Sequence, residues 1–188
     1  MRAVQQHNHA AYTTLVERHI NGLHAYAYRY CQNLSDAQDI TQETFLRVWN
    51  RANTWQPNRV QFSTWLFRIT HNLSIDMFRK REANFEETAI TDTALSYDET
   101  KVNNLARDFE QMLQQNRVRA AVYALPVRQR NAILLCTLQG FSNRQAAEIL
   151  QLSVDALESL LARGRTSLKK TLSAENTTKI SAINGAKP

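Results

Sequence analysis

Glycine and proline are nearly absent from this chain, with 4 and 3 residues among 188. Hairpins and small barrels need them at their turns, so both architectures are disfavoured. The long stretches between the few breakers point instead to helices. Cysteine is as scarce. Cys31 and Cys136 form no CxxC pair and have no neighbouring ligand set. That argues against a metal or redox centre and predicts buried, reduced thiols. No apolar run approaches the ~18 residues of a membrane span. The segment from Met1 to His7 lacks the apolar core of a secretory signal. A cytoplasmic protein without membrane insertion is expected. Paired carboxylates, an HxE…CxxC set, a P-loop and a nucleophile motif are missing, and the histidines are scattered. Neither enzymatic activity nor a cofactor is expected.

What the chain does carry is positive charge, +6 at pH 7, which favours a polyanionic partner. The charge is unevenly placed. Residues 82–110 hold Glu82, Glu86, Glu87, Asp92, Asp98, Glu99, Asp108 and Glu110 against only Lys101 and Arg107. Basic blocks flank them, at Arg68 to Arg81 and at Arg128 to Lys170. The acidic block also lacks hydrophobic periodicity until about Leu105, so 83–110 reads as a linker between two helical domains. It is either a solvated spacer or a segment that folds back onto a basic partner. An all-α chain of two small domains follows.

All three tryptophans, Trp49, Trp55 and Trp65, fall in one short stretch just before Arg79-Lys80-Arg81. Two readings fit: a Trp-rich core with a solvated basic end, or a surface that stacks on unpaired bases and holds phosphates. A helix over 11–31 is predicted from Tyr12, Leu15, Val16, His19, Leu23, Tyr26, Ala27 and Tyr30. A second is expected to be capped by Ser35, to run to about Ala52, and to bury Ile40, Phe45 and Val48. Its polar side, with Asp36, Asp39, Gln42 and Glu43, is a solvated face or a docking face. The segment 55–61 is a loop, and a helix over 64–81 follows, capped by Ser63. On its wheel Phe62, Leu66, Ile69, Leu73 and Met77 form a core stripe. Trp65, Arg68, Asn72 and Arg79 are expected on an exposed arc beside it, suited to stacking, base edges and phosphate.

In the C-terminal half, helices are predicted over 113–124 and 127–138, meeting at Leu125-Pro126 and ending at Gly140. Ser142 then caps a short helix to Leu150, and Ser153 caps a longer one to about Leu172. Ala146, Ala147, Leu150, Leu152, Leu157 and Leu160 fit the buried positions of a helix-turn-helix, with a plain helical hairpin as the alternative. Arg163, Arg165, Lys169 and Lys170 would reach phosphates. Residues 173–188 read as a disordered tail.

The string Asp36-Ala37-Gln38-Asp39-Ile40-Thr41-Gln42-Glu43-Thr44-Phe45-Leu46-Arg47-Val48-Trp49 resembles the polymerase-binding helix of bacterial sigma factors. Phe62-Ser63-Thr64-Trp65-Leu66-Phe67-Arg68-Ile69, with His71-Asn72, Ile75-Asp76 and Arg79, resembles the −10 helix of the extracytoplasmic-function (ECF) group of the sigma-70 family. Ala124-Leu125-Pro126-Val127-Arg128-Gln129-Arg130 through Leu168 resembles that group's −35-binding domain. The resemblance implies a transcription initiation factor that binds core RNA polymerase (β′ and β subunits) and promoter DNA and is held by an anti-sigma factor. It implies a polymerase face at Asp36, Asp39, Gln42 and Glu43. It implies a loop of Asn58, Arg59, Val60, Gln61 and Phe62 that captures a flipped non-template base, supported by Arg68 and Asn72, with Trp65 and Arg79 of the same helix also at the −10 DNA. It implies −35 contacts from Asn143, Arg144, Glu158, Ser159, Ala162, Arg163 and Arg165. The domains would then be 8–82 and 111–172. Three positions depart from the pattern: Gln151 stands at the usual turn glycine, Glu158 where the family commonly has Lys or Arg, and Leu160 where it often has Arg. A dimeric helix-turn-helix regulator of duplex DNA is the alternative.

Overall fold

The computed structural model describes residues 1–84 and 116–184; the acidic linker therefore lies almost wholly outside the described residues, as does the start of the helix expected over 113–124. Side-chain placement is described for 1–79 and 116–173. Every regular element among the described residues is helical. Contacts divide the chain into two units: 1–88 with 134–158, and 89–133 with 159–188.

The first unit begins with a single turn, α1 (Arg2–Gln5), then α2 (His9–Cys31), α3 (Leu34–Asn50), a 3-10 turn (Ala52–Thr54) and α4 (Phe62–Asn84). Asn8 caps α2, its Oδ1 accepting from Ala11 N at 2.9 Å. The residue that caps α3 is Asn33, not Ser35: its Oδ1 accepts from Asp36 N at 3.0 Å. Asn and Ser compete for the same role, and Asn33 wins because it holds the extended backbone a cap requires. In α4, likewise, Ser63 lies inside the first turn and the helix starts one residue earlier.

Leu15, Leu23, Tyr26, Ala27 and Tyr30 of α2 are buried at three- and four-residue steps. They meet Ala37, Ile40, Phe45 and Val48 of α3 and Leu66 and Leu73 of α4 in one core. Alanines at 27 and 37 let α2 and α3 approach closely, with Ile40 and Leu73 completing that layer. The contact between α3 and α4 contains buried hydroxyls. Thr44 Oγ1 donates to Ile40 O at 2.7 Å and lies 3.3 Å from Thr70 Oγ1; Thr70 and Ser74 donate back to Leu66 O and Thr70 O. Bonding within the same helix removes the penalty of burying these groups and keeps the packed surfaces slim.

α7 (Asn143–Leu150) also belongs to this unit and packs on α4. A reciprocal capping box opens it: Ser142 Oγ accepts from Gln145 N, and Gln145 Oε1 accepts from Ser142 N at 2.9 Å. Gln151 ends it in the left-handed region, at φ 56°. Glutamine in a glycine-type position costs roughly 1 kcal/mol. The turn is held by Leu152 N donating to Ala147 O at 2.9 Å. Ser153 Oγ then accepts from Ala156 N, opening α8 (Val154–Asn184).

The second unit contains a helix through 116–123 (α5), α6 (Val127–Ile133) and the continuation of α8. Ala121, Val122, Leu125, Ala132, Ile133 and Leu161 are buried. Gly164 lets α8 approach α6; a Cβ there would lie 3.3 Å from Ile133 Cγ1. The single helix expected over 127–138 is in fact α6 followed by a wider π-type turn at Leu134–Leu138. Gln139 N bonds to Leu134 O at 3.0 Å across that turn, and Gly140 ends it at φ 72°. α8 runs to Asn184, past the expected end at Leu172, because no glycine or proline intervenes before Gly185. That replaces most of the disordered tail predicted for 173–188 with helix. Cys31 and Cys136, expected to be buried, are only half-buried.

Tyr26 and His71 form a buried pair, hydroxyl to Nδ1 at 2.9 Å, with Tyr30 edge-on to the imidazole at 5.8 Å. Burial lowers the His71 pKa from 6.5 to about 4. The unfolded chain takes up this proton near 6.5 and the folded chain only near 4. Between those values the unfolded state binds more protons, so stability falls as pH drops through that window. Urea unfolding at pH 7 and pH 5 should show a midpoint loss at the lower pH, and a His71→Gln variant should lose less. Equal losses in both proteins would place the titrating group elsewhere.

Candidate nucleic-acid interface

The polar side of α3 carries the predicted docking residues. Asp39 and Gln42 are exposed, and Asp36 and Glu43 are half-buried. Glu43 pairs with Arg47 at 2.8 Å, one turn on. An exposed pair of this kind contributes well under about 1 kcal/mol. Leu46, 48% exposed, follows Gln42 and Glu43 by one turn and adds an apolar contact to the acidic face. Nothing in the linear sequence singled it out, since its neighbours Phe45 and Val48 are core. A cleft of about 560 Å³ opens between α3 and α4, lined by Asp39, Ile40, Glu43, Arg47, Leu73, Asp76, Met77 and Arg79. Arg79 therefore stands with the acidic face of α3. It lies roughly four turns of α4 from Trp65, so the two do not share one contact patch.

The opposite end of α4 carries the loop. Asn58, Arg59 and Gln61 are exposed, and Val60 is half-buried. Phe62 sits half-buried at the helix start amid His19, Trp55 and Trp65, with ring centroids at 5.5, 5.9 and 5.9 Å. Trp65, expected on an exposed arc, is 7% exposed and belongs to the core. The wheel assigns it an angle on α4 but takes no account of the rest of the fold, in which it is buried. Arg68 and Asn72 remain half-exposed. Within the same unit, Gln145 Nε2 donates to Gln61 Oε1 at 2.6 Å, and Gln151 Nε2 donates to Asn72 Oδ1 at 3.3 Å. Phe141 packs edge-on to Phe67 at 4.9 Å beside them.

In the helix-turn-helix, Asn143 and Arg144 are exposed on the first turn of α7. Glu158, Ser159, Ala162, Arg163 and Arg165 are exposed along α8, with Lys169 and Lys170 one to two turns on. Ala146, Ala147 and Leu157 are buried as expected, joined by Ile149, whereas Leu150, Leu152 and Leu160 are only half-buried. Asn143 Nδ2 donates to Glu158 Oε1 at 3.1 Å, so the carboxylate already holds one neutral donor. Arg163 Nε turns back to Ser159 O at 3.2 Å. Among the described residues no group of three or more His, Cys, Asp and Glu is placed to hold a metal, and no helix is long and apolar enough to cross a membrane.

Comparison with known proteins adds to this geometry. The sigma-70 region 2 family model matches residues 15–84, and the sigma-70 region 4 model matches 115–168. Residues of the chain align with CnrH of Cupriavidus metallidurans, an RNA polymerase sigma factor, at 31% identity over 90% of each protein. The chain belongs to the ECF group of the sigma-70 family. It is a sigma factor and serves transcription initiation. The ECF sigma factor SigE of Mycolicibacterium smegmatis is 35% identical over 82% of this chain, which spans 59% of SigE. The solved structure of CnrH in complex with the cytosolic domain of CnrY superposes with a TM-score of 0.68, at 28% identity, over 92% of this chain and 94% of that one.

The exposures separate two kinds of site residue. Trp65→Ala should lower the unfolding free energy by about 3–5 kcal/mol, as for a buried aromatic. Arg68→Ala should change it by less than about 0.5 kcal/mol. Denaturant melts of the two variants check this, and a near-neutral Trp65→Ala would contradict the burial.

Proposed function

We propose that this sigma factor docks on core RNA polymerase through Asp36, Asp39, Gln42 and Glu43 of α3, with Leu46 as an added apolar contact. The loop Asn58–Gln61 and the Phe62 ring receive a base flipped from the non-template strand of the −10 element. Arg68 and Asn72 support it from the accessible edge of α4. Unstacking a base costs a few kcal/mol, which ring contact and hydrogen bonds in the loop offset. Capture requires Gln61 and Asn72 to exchange their bonds to Gln145 and Gln151 for bonds to DNA. Asn143, Arg144 and the α8 residues Glu158, Ser159, Ala162, Arg163 and Arg165 contact the −35 duplex, the guanidiniums at phosphates and Glu158 at a base edge. Residues 8–82 and 111–172 act as the two DNA-binding modules. The protein works in the cytoplasm and performs no bond chemistry of its own.

The observation that carries this reading is the exposure of Asn58, Arg59 and Gln61 at one end of α4, in the unit whose α3 presents the acidic face. An anti-sigma factor is the proposed regulator, supported by the CnrY domain bound to CnrH in the related structure. Similarity along most of the chain to sigma factors weighs against a dimeric duplex-binding regulator.

Run-off transcription with purified core polymerase on a genomic promoter pool tests the function. Polymerase-independent protection of a palindrome, without run-off product, would favour the dimeric regulator. Asp39→Arg with Glu43→Arg should weaken polymerase affinity by at least about tenfold, because a positive face replaces a negative one. Unaltered affinity rejects that docking face. Arg68→Ala with Asn72→Ala should impair promoter opening while polymerase binding survives; opening at the wild-type rate removes them from base capture.

A further inference from the structure

We infer that Gln5, acting through Trp55, is a positioning residue for the base-capturing loop; the inference rests on the role proposed above for that loop. α1 precedes the residues matched by the region 2 family model, which begin at 15. It is nonetheless tied tightly to the molecule. Val4 is fully buried. His7 ends α1 in the left-handed region at φ 57°. Asn8 N reaches back to Ala3 O at 3.0 Å and His7 N to Val4 O at 2.9 Å, the paired bonds of a left-handed helix stop. Glycine is the usual residue there, because a side chain in that conformation is strained.

The histidine is held by ring contacts that glycine lacks. His7 meets Trp49 edge-on at 5.4 Å, and His9 and Tyr12 pack on the same indole at 4.8 Å each. Tyr12 Oη donates to Phe45 O at 2.9 Å. Three rings and a hydrogen bond thus hold the start of α2 against the end of α3, and α1 leaves that junction in a defined direction.

From there the Gln5 amide reaches across the fold. Its Nε2 donates to Ala52 O at 3.0 Å and to Trp55 O at 3.2 Å. Both amide hydrogens are used, and both acceptors belong to the backbone that leads into the loop. Trp55 carries the restraint onward. Its indole N–H donates to Val60 O at 3.1 Å, and its ring stands edge-on to Phe62 at 5.9 Å. One residue therefore closes both ends of the loop, and Gln5 fixes that residue from outside. Arg59 N and Val60 N add bonds to Gln56 O within it. Asn58, Arg59 and Gln61 are exposed yet mounted on a backbone closed at its base, as pre-organised recognition requires.

The test uses the full chain with core polymerase on promoters carrying each of the four bases at the captured position. Gln5→Met keeps the length and loses the donors. Trp55→Phe keeps a ring and loses the indole N–H. Each should reduce the preference for the best base over the others by about five- to tenfold, while polymerase affinity stays at the wild-type value. Gln5→Arg, which restores donors, should recover most of the preference. Unchanged preference in both variants overturns the inference, as does an equal loss on all four promoters, which marks a purely structural role. Asn58→Ala and Arg59→Ala are run alongside. If these also leave base preference unchanged, the loop is not the reader and the underlying functional reading fails. If they abolish it while Gln5→Met and Trp55→Phe do not, only the positioning role fails.

Discussion

The close contact of α3 with α4 at Thr44 and Thr70 is the constraint on which the rest of the first unit depends. Two small hydroxyls, each satisfied within its own helix, let the axes approach without an unpaired polar group. Larger residues would hold the helices apart and open voids around Ile40 and Leu73. The Tyr26–His71 pair performs the same service against α2. Together they enclose the middle of α4, and little of it remains for a ligand except its two ends and one edge.

That enclosure sorts the functions. The N-terminal end of α4 delivers the loop and the Phe62 ring, where an unpaired base is proposed to enter. The edge offers Arg68 and Asn72. The C-terminal end places Arg79 in a cleft with Asp39 and Glu43. The acidic side of α3 repels phosphate and suits a protein partner with positive charge, despite a net charge of +6 for the chain. Net charge says only that some polyanion is attractive; its local distribution says which surface faces it. On α8 the same logic is tempered by Glu158, a carboxylate bonded to Asn143 within a surface proposed to face DNA.

Loop precision comes from outside the loop. A seven-residue connection with exposed tips would ordinarily sample many shapes. Here Trp55 anchors both ends, and Gln5 ties it to a short N-terminal turn stiffened by His7, His9, Tyr12 and Trp49. Restraint from residues distant in sequence lowers the entropy cost of holding the tips in one shape, ready for the base proposed to enter there.

The single turn α1 was not foreseen, and the turn position of Gln151 came from the family resemblance; the order of α2 to α8 and the capped turn at Ser142 were legible in the residues themselves. Each depends on local rules of periodicity, capping and steric preference that act within a few positions. Asn33 in place of Ser35, and the π-type turn after Ile133, lay within reach of those rules but depended on backbone details they do not resolve. The burial of Trp65, the exposure of Leu46, the placement of Arg79 beside Asp39 and the bridge from Gln5 to Trp55 were decided only by the tertiary fold. A helical wheel assigns an angle to a side chain, but what lies at that angle is supplied by other helices, packed from residues far along the chain.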